Sequence, residues 1–445
     1  MTITEGSPMN FSPTAVLEMD LSDPVTGISA DAVYGAAFVL ARWYSEPVAL
    51  VDIPLCNGTA DADQVAHALW RAAAPLVSAR APAGFPAASD GFPDELLTTG
   101  LRLPWRPAYL NGRAKALLNA PPASVIVCTR DRTDKLASCL AAVLRQEYPN
   151  FEVIVVDNAP ATDAVADLVS RLRASGTRGV PLRHVVEPRP GLSWARNTGL
   201  AVASGKIVAY LDDDEYPDRH WLAELARGFT LDKRVAGVSG LVLPAELDTP
   251  AQTLYEQFGG HSKGRGLTPA IFDKASHERQ HPLYPLPPFG VGASMAFDRA
   301  ALTRIGGFDV ALGAGTTARA GEDTAAIADV MLKGGTFVYW PGAIMWHTHR
   351  ATLAEVERQL NGYGSGLTAF YTRALLSNPR NLAALLKLAP RALRDLRGRD
   401  SVRTATMSDD YPASLRRASM LGMLAGPLRY LRSRQVQARV REEFI

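Results

Sequence analysis

Three consecutive carboxylates, Asp212, Asp213 and Asp214, directly follow the apolar run at residues 207–211. A short, β-branched apolar run of this kind predicts a buried parallel strand. Open α/β sheets bind their ligands at the carboxyl ends of such strands. Because adjacent carboxylates repel one another, we expect a cation among them, and oxygen ligands on a short loop suit Mg²⁺ or Mn²⁺. A solvated acidic turn before the next helix is the alternative interpretation.

Strands and helices alternate before this triplet, and the alternation predicts a parallel, doubly wound sheet. Four strands are predicted at 124–129, 151–156, 182–186 and 206–211, with helices at 135–146, 162–174 and 193–204. Ser193 is expected to cap the third helix. Right-handed crossovers place the carboxyl ends of all four strands at one edge of the sheet. We therefore expect Thr129, Arg130, Arg132 and Asp157 to line one crevice with the triplet.

Each of these side chains suits a nucleotide but has a structural alternative. Arg130 and Arg132 suit a diphosphate, although both could be surface charges. Asp157 could accept a hydrogen bond from a base or a ribose hydroxyl, or it could cap a helix. Arg196 and Asn197 could simply decorate their helix. The sequence has no GxGxxG after the first strand and no GxxxxGK[ST], which disfavours a dinucleotide site and a P-loop.

Length and composition indicate a multidomain globular protein. The chain has 445 residues, of which 47% are hydrophobic and 21% charged, and its net charge of +2 gives no general attraction to nucleic acid. Cys56, Cys128 and Cys139 are too scattered for a zinc cluster or a disulfide framework. Since the sequence shows neither a signal peptide nor a membrane span, we expect a cytoplasmic protein.

Residues 1–120 and 351–445 flank the alternating region and predict separate domains. The first segment predicts a small α+β domain of unknown role, with strands at 15–21, 36–44 and 48–55, a helix at 62–74 that Pro75 ends, and a loop at 80–94. The last segment predicts a helical extension. Its basic amphipathic helix at 381–397 could lie on an anionic membrane surface or pack on the protein. The apolar stretch at 418–431 is interrupted by glycines and a proline.

Eight motifs carry a resemblance to a known family. SVIVCTRDR, VVDN, GLSWARNTGL and LDDD begin at 124, 155, 191 and 211, and GVGASMAFDRAAL, IGGFD, GED and WHTHR begin at 290, 305, 321 and 346. In this order they resemble the family 2 glycosyltransferases of the GT-A fold, over about residues 123–350. The resemblance implies a catalytic domain at 121–350, with a nucleotide half at 121–216 and an acceptor half at 217–350. The segment 249–288 matches no pattern.

The same resemblance implies roles for individual residues. It implies Asp323, with Glu322 beside it, as the catalytic base, and a metal held by Asp212, Asp214 and His347, with His349 as a rival ligand. It implies acceptor-side positions at Gly292 and Trp346. The residues expected at the nucleotide sugar are Thr129, Arg130, Arg132, Asp157, Arg196, Asp212 and Asp213.

The chemistry of glycosyl transfer is consistent with this set. A divalent cation neutralises the departing diphosphate, and a carboxylate removes the proton of the acceptor hydroxyl. One metal site and one base suffice for a single displacement that inverts the anomeric centre. Because Glu322 and Asp323 precede a predicted helix at 324–333, an N-cap role is the alternative.

We therefore predict an inverting, metal-dependent glycosyltransferase that uses a nucleotide sugar, with a UDP-sugar expected. The resemblance implies a carbohydrate, glycolipid or other hydroxyl acceptor, a product at the cell surface, and a location on the inner face of the plasma membrane. The alternatives are a sugar nucleotidyltransferase, whose glycine-rich phosphate loop is replaced here by CTRDR, and an inactive nucleotide-sugar-binding protein.

Overall fold

The computed structural model describes residues 11–81, 93–262, 264–273, 281–285, 289–397, 407–408 and 411–444. Two compact units make up the chain. The first comprises the described parts of Met1–Ala114, Pro244–Tyr255 and His349–Leu353. The second comprises those of Lys115–Leu243, Glu256–Thr348 and Ala354–Ile445.

Strands and helices alternate regularly from residue 123 to residue 212, and less regularly before and after. The strands are β1 (Thr14–Asp20), β2 (Ile28–Ser29), β3 (Ala36–Trp43), β4 (Glu46–Pro54), β5 (Thr59–Ala60), β6 (Ala123–Thr129), β7 (Phe151–Asn158), β8 (Leu182–Glu187), β9 (Ile207–Asp212), β10 (Glu215–Pro217), β11 (Val235–Pro244), β12 (Ala270–Phe272), β13 (Met295–Asp298) and β14 (Thr336–His347). The helices are α1 (Ala62–Arg80), α2 (Glu95–Thr98), α3 (Ala108–Leu118), α4 (Thr133–Val143), α5 (Ala164–Ser175), α6 (Leu192–Val202), α7 (Trp221–Gly228), α8 (Pro250–Gln257), α9 (Arg299–Arg304), α10 (Glu322–Leu332), α11 (Leu353–Ser377), α12 (Asn381–Arg397) and α13 (Ala413–Glu443).

The first unit is built on a three-stranded sheet of order β1-β3-β4, which confirms the predicted α+β character of this region. Strands β1 and β3 are parallel, and β3 and β4 are antiparallel. Helix α1 covers the sheet with a buried face that includes Val65, Leu69 and Val77. The prediction that Pro75 ends this helix is wrong, because α1 continues to Arg80. Proline has no backbone N–H, so α1 lacks one hydrogen bond at Pro75. The burial of Val77, beyond the proline, offsets the stability that is lost with this hydrogen bond.

The second unit contains a nine-stranded mixed sheet, which confirms the predicted α/β architecture. Its parallel half has the order β8-β7-β6-β9. Strand β13 pairs antiparallel with β9, and β11, β14 and β10 follow, with β12 on β14. The strand order reverses between β6 and β9, and this is the place where open α/β sheets bind ligands.

The inner parallel strands β6 and β7 are buried on both faces, as expected for a sheet covered by helices on each side, whereas the edge strand β8 is partly exposed. Every residue of β6 and β7 is buried. One hydrophobic cluster packs α4, α5 and α7 against one face of the sheet, and another packs α6, α9 and α10 against the opposite face. This two-sided packing fixes the strand ends that carry the candidate site.

The C-terminal extension is helical, as predicted, and comprises most of α11 together with α12 and α13. Helix α13 runs without a break through Gly422, Gly426 and Pro427, the residues that interrupt its apolar stretch. The glycines allow close packing on α11, because a Cβ at Gly422 would lie 2.0 Å from the carbonyl oxygen of Asn361. Among the described residues, no helix is both long enough and apolar enough to cross a bilayer.

Candidate active site

The acidic triplet lies where β9 ends, beside the loop that follows β6. The Thr129 hydroxyl donates to Asp213 Oδ2 over 2.7 Å. Arg132 donates to Asp213 Oδ2 at 3.1 Å and to Asp214 Oδ2 at 2.9 Å. The structure therefore brings Thr129 and Arg132 to the triplet, as the crossover argument predicted. Since Asp213 is fully buried and Asp214 is 3% exposed, the alternative of a solvated acidic turn is wrong.

A tight turn after β9 brings His347 to the same place. The chain enters β10 immediately after Asp214, and β10 pairs antiparallel with the end of β14 so that Glu215 lies opposite His347. This register leaves the His347 Nε2 atom 3.9 Å from Asp214 Oδ1. Strand β14, which lies far from the acidic loop in the sequence, thus supplies the imidazole of His347 to this loop.

Three carboxyl groups of this loop, those of Asp212, Asp213 and Glu215, have raised pKa values. Burial raises the pKa of Asp213 to about 6, although Arg132 and the Thr129 hydroxyl oppose the shift. Burial raises the pKa of Asp212 in spite of Arg196. Glu215 is also buried, and burial together with the charge of Asp212 raises its pKa well above the usual range. A cation at this position would reverse the destabilisation of the charged forms.

Arg196 connects the acidic loop to the GED motif. Its side chain is fully buried, and it donates to Glu322 Oε1 at 2.8 Å and to Asp212 Oδ1 at 3.2 Å. Helix α6 carries it, and the cap position of this helix is Gly191. The expectation that Ser193 caps α6 is wrong, because its hydroxyl donates to the carbonyl oxygen of Leu312 at 2.8 Å.

Glu322 and Asp323 are the first two residues of α10. The sequence had predicted that both residues precede this helix. Glu322 faces Arg196, and burial raises the pKa of its carboxyl while Arg196 opposes this shift. Asp323 faces the other way and accepts from the Gly292 N–H at 2.8 Å and from its neighbour's N–H, that of Thr324, at 2.6 Å. The two carboxyl groups therefore have different surroundings.

Gly292 allows this arrangement because it has no side chain. A Cβ at Gly292 would lie 3.0 Å from Arg196 Nη2 and 3.3 Å from Asp323 Oδ2. Its carbonyl oxygen accepts from Arg196 at 3.5 Å while its N–H orients Asp323. One peptide thus connects the buried arginine to the carboxylate predicted as base.

Comparisons with known proteins agree with this geometry. The sequence model described as "Glycosyl transferase family 2" matches residues 124–306, a segment that carries the acidic triplet, Arg196 and Gly292. The chain contains a family 2 glycosyltransferase domain. Its mixed sheet has the GT-A fold. Glu322, Asp323 and His347 lie beyond the matched segment.

Curated relatives share parts of the domain. An uncharacterized glycosyltransferase of Rickettsia conorii is 32% identical over 111 residues, which are 24% of this chain and 18% of the relative. The glycosyltransferase AglE of Haloferax volcanii is 36% identical over 105 residues, 23% of this chain and 33% of the relative. The glucosyl-dolichyl phosphate glucuronosyltransferase of the same organism is 26% identical over 198 residues, 43% of this chain and 56% of the relative. The chain thus spans less than two thirds of each.

A solved structure also resembles the chain. The mannosyltransferase PcManGT from Pyrobaculum calidifontis, in complex with GDP-Man and Mn²⁺, is 21% identical, and the match covers 72% of this chain and 94% of that one with a TM-score of 0.45. At this level of similarity no residue role is transferred from it.

Asp157 is buried at the end of β7. Its Oδ2 atom lies 3.3 Å from His184 Nε2, whereas Oδ1 has no hydrogen-bond partner within the described chain. Burial raises the pKa of Asp157, and His184 opposes the shift. Arg130 is exposed beside this strand end. His184 was not anticipated, because a histidine within a short strand carries no signal of its own.

Strand β14 carries the predicted residue Trp346, and His261 and Arg265, which the sequence did not indicate, contact rings of the same strand. Trp346 is half-buried on β14 opposite Tyr216, and the His261 ring lies 4.4 Å from that of His347. Arg265 has a buried guanidinium whose Nε and Nη2 atoms have no hydrogen-bond partner among the described residues, and burial lowers its pKa to about 10. The rival ligand His349 packs edge-to-face on Tyr255 within the first unit, with 4.7 Å between ring centroids.

The donor set at the acidic loop fits a divalent cation. Carboxylate oxygens and one imidazole are ligands that Mg²⁺ and Mn²⁺ accept. Among the described residues, Arg132 and Lys135 contact Asp214, Arg132 also contacts Asp213, and Arg196 contacts Asp212 and Glu322. Glu215 Oε1 is buried without a hydrogen-bond partner in the described structure. The residues present therefore suit an additional positive charge.

Proposed function

We propose that the protein is an inverting, metal-dependent glycosyltransferase that transfers a sugar from a nucleotide diphosphate sugar to an acceptor hydroxyl. The observation that supports this most strongly is the arrangement around Arg196. Its guanidinium contacts Asp212 of the acidic loop and Glu322 of the GED motif, and the peptide of Gly292 connects it to Asp323. Asp212, which suits a metal diphosphate, and Asp323, which suits the role of base, are therefore both connected to the buried guanidinium of Arg196.

The divalent cation, Mn²⁺ or Mg²⁺, would be held by Asp212, Asp214 and His347. When bound, it neutralises charge on the departing diphosphate. Arg132 and Lys135 lie at the exposed side of Asp214, at 2.9 and 3.7 Å from Oδ2, and are placed to meet phosphate oxygens there. Arg196 holds Asp212 in place from the buried side.

Asp323 serves as the base in this proposal. Its Oδ2 atom accepts the Gly292 N–H, and its Oδ1 atom accepts both the N–H and, at 3.3 Å, the hydroxyl of Thr324, so the carboxylate is oriented and Oδ2 keeps a second lone pair. This lone pair of Oδ2 takes the proton of the acceptor hydroxyl as the new glycosidic bond forms. Glu322, which is turned toward Arg196, positions the cation and does not touch the acceptor.

The nucleoside would bind at the ends of β6 and β7. The unpartnered Asp157 Oδ1 atom suits a base N–H or a ribose hydroxyl, and Thr129, Arg130 and Asp213 line the same edge. A UDP-sugar is the proposed donor. Gly292 and Trp346 belong to the acceptor side, where a carbohydrate, a glycolipid or another hydroxyl compound would bind.

The proposal includes a cytoplasmic location at the inner face of the plasma membrane and a role in cell-surface polysaccharide or glycolipid synthesis. Contact with an anionic membrane surface is part of it, and α12 is the helix that the sequence suggested for this contact. Nucleic acid is not among the proposed partners.

A panel of nucleotide sugars tests the function directly. We expect slow, Mn²⁺-stimulated release of a free sugar and a nucleoside diphosphate from one donor. The matched control is the Asp323→Asn variant, which should bind the donor and release little sugar. Formation of a nucleoside triphosphate from pyrophosphate would identify a nucleotidyltransferase, and donor binding without any turnover, even with acceptor mixtures, would identify a binding protein.

A further inference from the structure

Helix α13 has an exposed apolar face. Met420 is 56% exposed, Leu421 61%, Leu424 80%, Leu428 73% and Leu431 43%. Their spacing places all five on one side of the helix over three turns, and we call them the Leu424 stripe. Side chains of this size are seldom exposed together on a protein surface unless something covers them.

The opposite face of α13 is fixed to the protein. Leu415, Ala418, Gly422 and Tyr430 are buried on it. Asn361 of α11 donates to the Ala418 carbonyl oxygen at 2.9 Å. The helix is therefore held by its inner face, and the stripe is presented outward.

Arginines flank the stripe at both ends. Arg416 and Arg417 precede it, and Arg432 and Arg434 follow it, all four exposed. Within the described part of the chain, none of the four forms an ion pair with a carboxylate. From residue 413 to residue 441 the helix contains arginines but no acidic residue, so its outer face is apolar in the middle and cationic at the ends.

We infer that the Leu424 stripe lies on an anionic phospholipid surface. A helix of this pattern rests in the plane of the interface, with its leucines in the acyl boundary and its arginines at the lipid phosphates. Charge complementarity favours this occupant over a second copy of the chain. Two stripes packed face to face would bring arginine pairs of like charge together at both ends, whereas anionic headgroups neutralise them.

In helix α12, the helix suggested by the sequence, one of the three arginines and the inner leucines contact other residues. The Arg391 guanidinium lies 4.8 Å from the Tyr284 ring centroid, and Arg391 Nε lies 3.9 Å from Asp395. Leu385 and Leu388 pack against the cluster that contains Phe370. Among the side chains of α12 that the structure describes, the strongly exposed leucines are Leu382 and Leu386, at 51% and 64%. This pair offers a matched control for the stripe.

The inference rests on the proposed function in one respect, because both take an anionic membrane surface as the partner of the protein. Lipid binding needs neither donor nor acceptor, so a failure of lipid binding and a failure of glycosyl transfer are separate results. The helix is also joined to the catalytic domain, because the Trp194 indole donates to Gln437 at 2.6 Å.

Co-sedimentation of the full chain with vesicles tests the inference. We expect binding to vesicles of phosphatidylcholine and phosphatidylglycerol, little binding to phosphatidylcholine alone, and weaker binding as salt is added. Leu424→Ser combined with Leu428→Ser should lower the partition constant at least about tenfold, because two apolar side chains no longer enter the interface. Replacing Arg416, Arg417, Arg432 and Arg434 by Gln should lower it by about a hundredfold.

The control Leu382→Ser with Leu386→Ser should bind within about twofold of the parent, because α12 would remain off the interface. Thermal denaturation should show the same midpoint for both leucine variants, since the replaced side chains are exposed. Absence of binding by the parent, or equal binding by the Leu424 variant, would overturn the inference. A parent dimer that the Leu424 variant converts to a monomer in sedimentation velocity would assign the stripe to a second copy instead.

Discussion

Two buried carboxylates, at opposite edges of the same parallel sheet, have contrasting surroundings. Glu152 begins β7 at the amino edge and accepts from the Ser124 hydroxyl at 2.8 Å, from the Ser204 N–H at 2.8 Å and from Arg183 at 3.1 Å. Burial raises its pKa, but these donors outweigh burial and the pKa is lowered overall. At the carboxyl edge, burial outweighs the donors of Asp213, and its pKa rises to about 6.

The opposite directions of these two pKa shifts distinguish a carboxylate with a structural role from a carboxylate that is suited to bind a ligand. A structural carboxylate receives its full set of donors within the fold, and the protein stabilises its charge. The acidic loop, in contrast, places Asp212, Asp213 and Glu215 close together with too few donors, which costs stability unless a cation is present. Proteins accept such a cost mainly at functional sites.

The largest effect is expected at Asp323. If it is the base, Asp323→Asn should lower kcat by about 10²–10⁴ and leave the KM for the donor nearly unchanged. The matched control is Asp298→Asn, because Asp298 also begins a helix and accepts from the Ala301 N–H at 2.9 Å. Asparagine caps a helix nearly as well as aspartate, so this control should be fully active. Near-normal transfer by Asp323→Asn would make Asp323 a structural carboxylate and direct attention to Glu322.

Arg196 should be the residue of the site whose loss most reduces stability. Arg196→Met leaves the buried Glu322 and the half-buried Asp212 without their partner, and we expect a loss of about 3–5 kcal/mol in the free energy of unfolding. Urea denaturation measures this loss. Arg234→Met removes an exposed pair, Arg234 Nε to Asp232 at 3.4 Å, and should cost under about 1 kcal/mol. Equal effects of the two substitutions would contradict the buried linkage.

Glu152→Gln should destabilise the protein at neutral pH by about 2 kcal/mol, because charge-assisted hydrogen bonds are lost. A lowered pKa contributes stability that is present above the unfolded pKa of about 4.3 and is lost as the pH falls through the folded value. The difference between Glu152→Gln and the parent should therefore shrink in acid. A difference that stays constant from pH 7 to pH 3 would show that the charge of Glu152 is not involved.

Asp213→Asn should show the opposite and smaller trend. A raised folded pKa destabilises the protein above the unfolded pKa, so removal of this charge should stabilise the metal-free protein by about 1–2 kcal/mol at pH 7. The gain should grow between pH 4, near the unfolded pKa of about 3.9, and pH 6, and it should vanish below that range. Destabilisation at pH 7 would mean that the contacts of Asp213 with Arg132 and Thr129 are primarily structural.

The sequence predicted the parallel half well because its signals are local. Apolar runs and helical periodicity located β6 to β9, and the crossover rule alone brought Thr129 and Arg132 to the acidic loop. The antiparallel half depends on pairings between distant segments, such as Glu215 opposite His347, for which no local pattern exists. Glu215, His261 and Arg265 were missed for this reason.

The helix ends were harder to predict than the helices themselves. Pro75 lies inside α1, and Ser193 is not a cap, because packing and a distant carbonyl oxygen override the local preferences of these residues. In α13, glycines that would weaken an isolated helix are the contact points with α11. Each of these wrong predictions of a helix end arises where tertiary contacts outweigh the local helix propensity of a residue. Most such propensities differ by about 1 kcal/mol or less.

Titration calorimetry with UDP, in the presence and absence of Mn²⁺, tests most directly whether the acidic loop binds a metal ion together with a diphosphate. We expect the parent protein to bind UDP much more tightly with Mn²⁺, and Asp214→Ala to lose this dependence while it keeps its fold. His347→Ala should weaken the Mn²⁺ effect less, because a neutral ligand is lost and not a charge. Glu152→Gln should leave it unchanged. Unaltered UDP affinity and unaltered Mn²⁺ dependence in Asp214→Ala would contradict the assignment of the loop as the metal site.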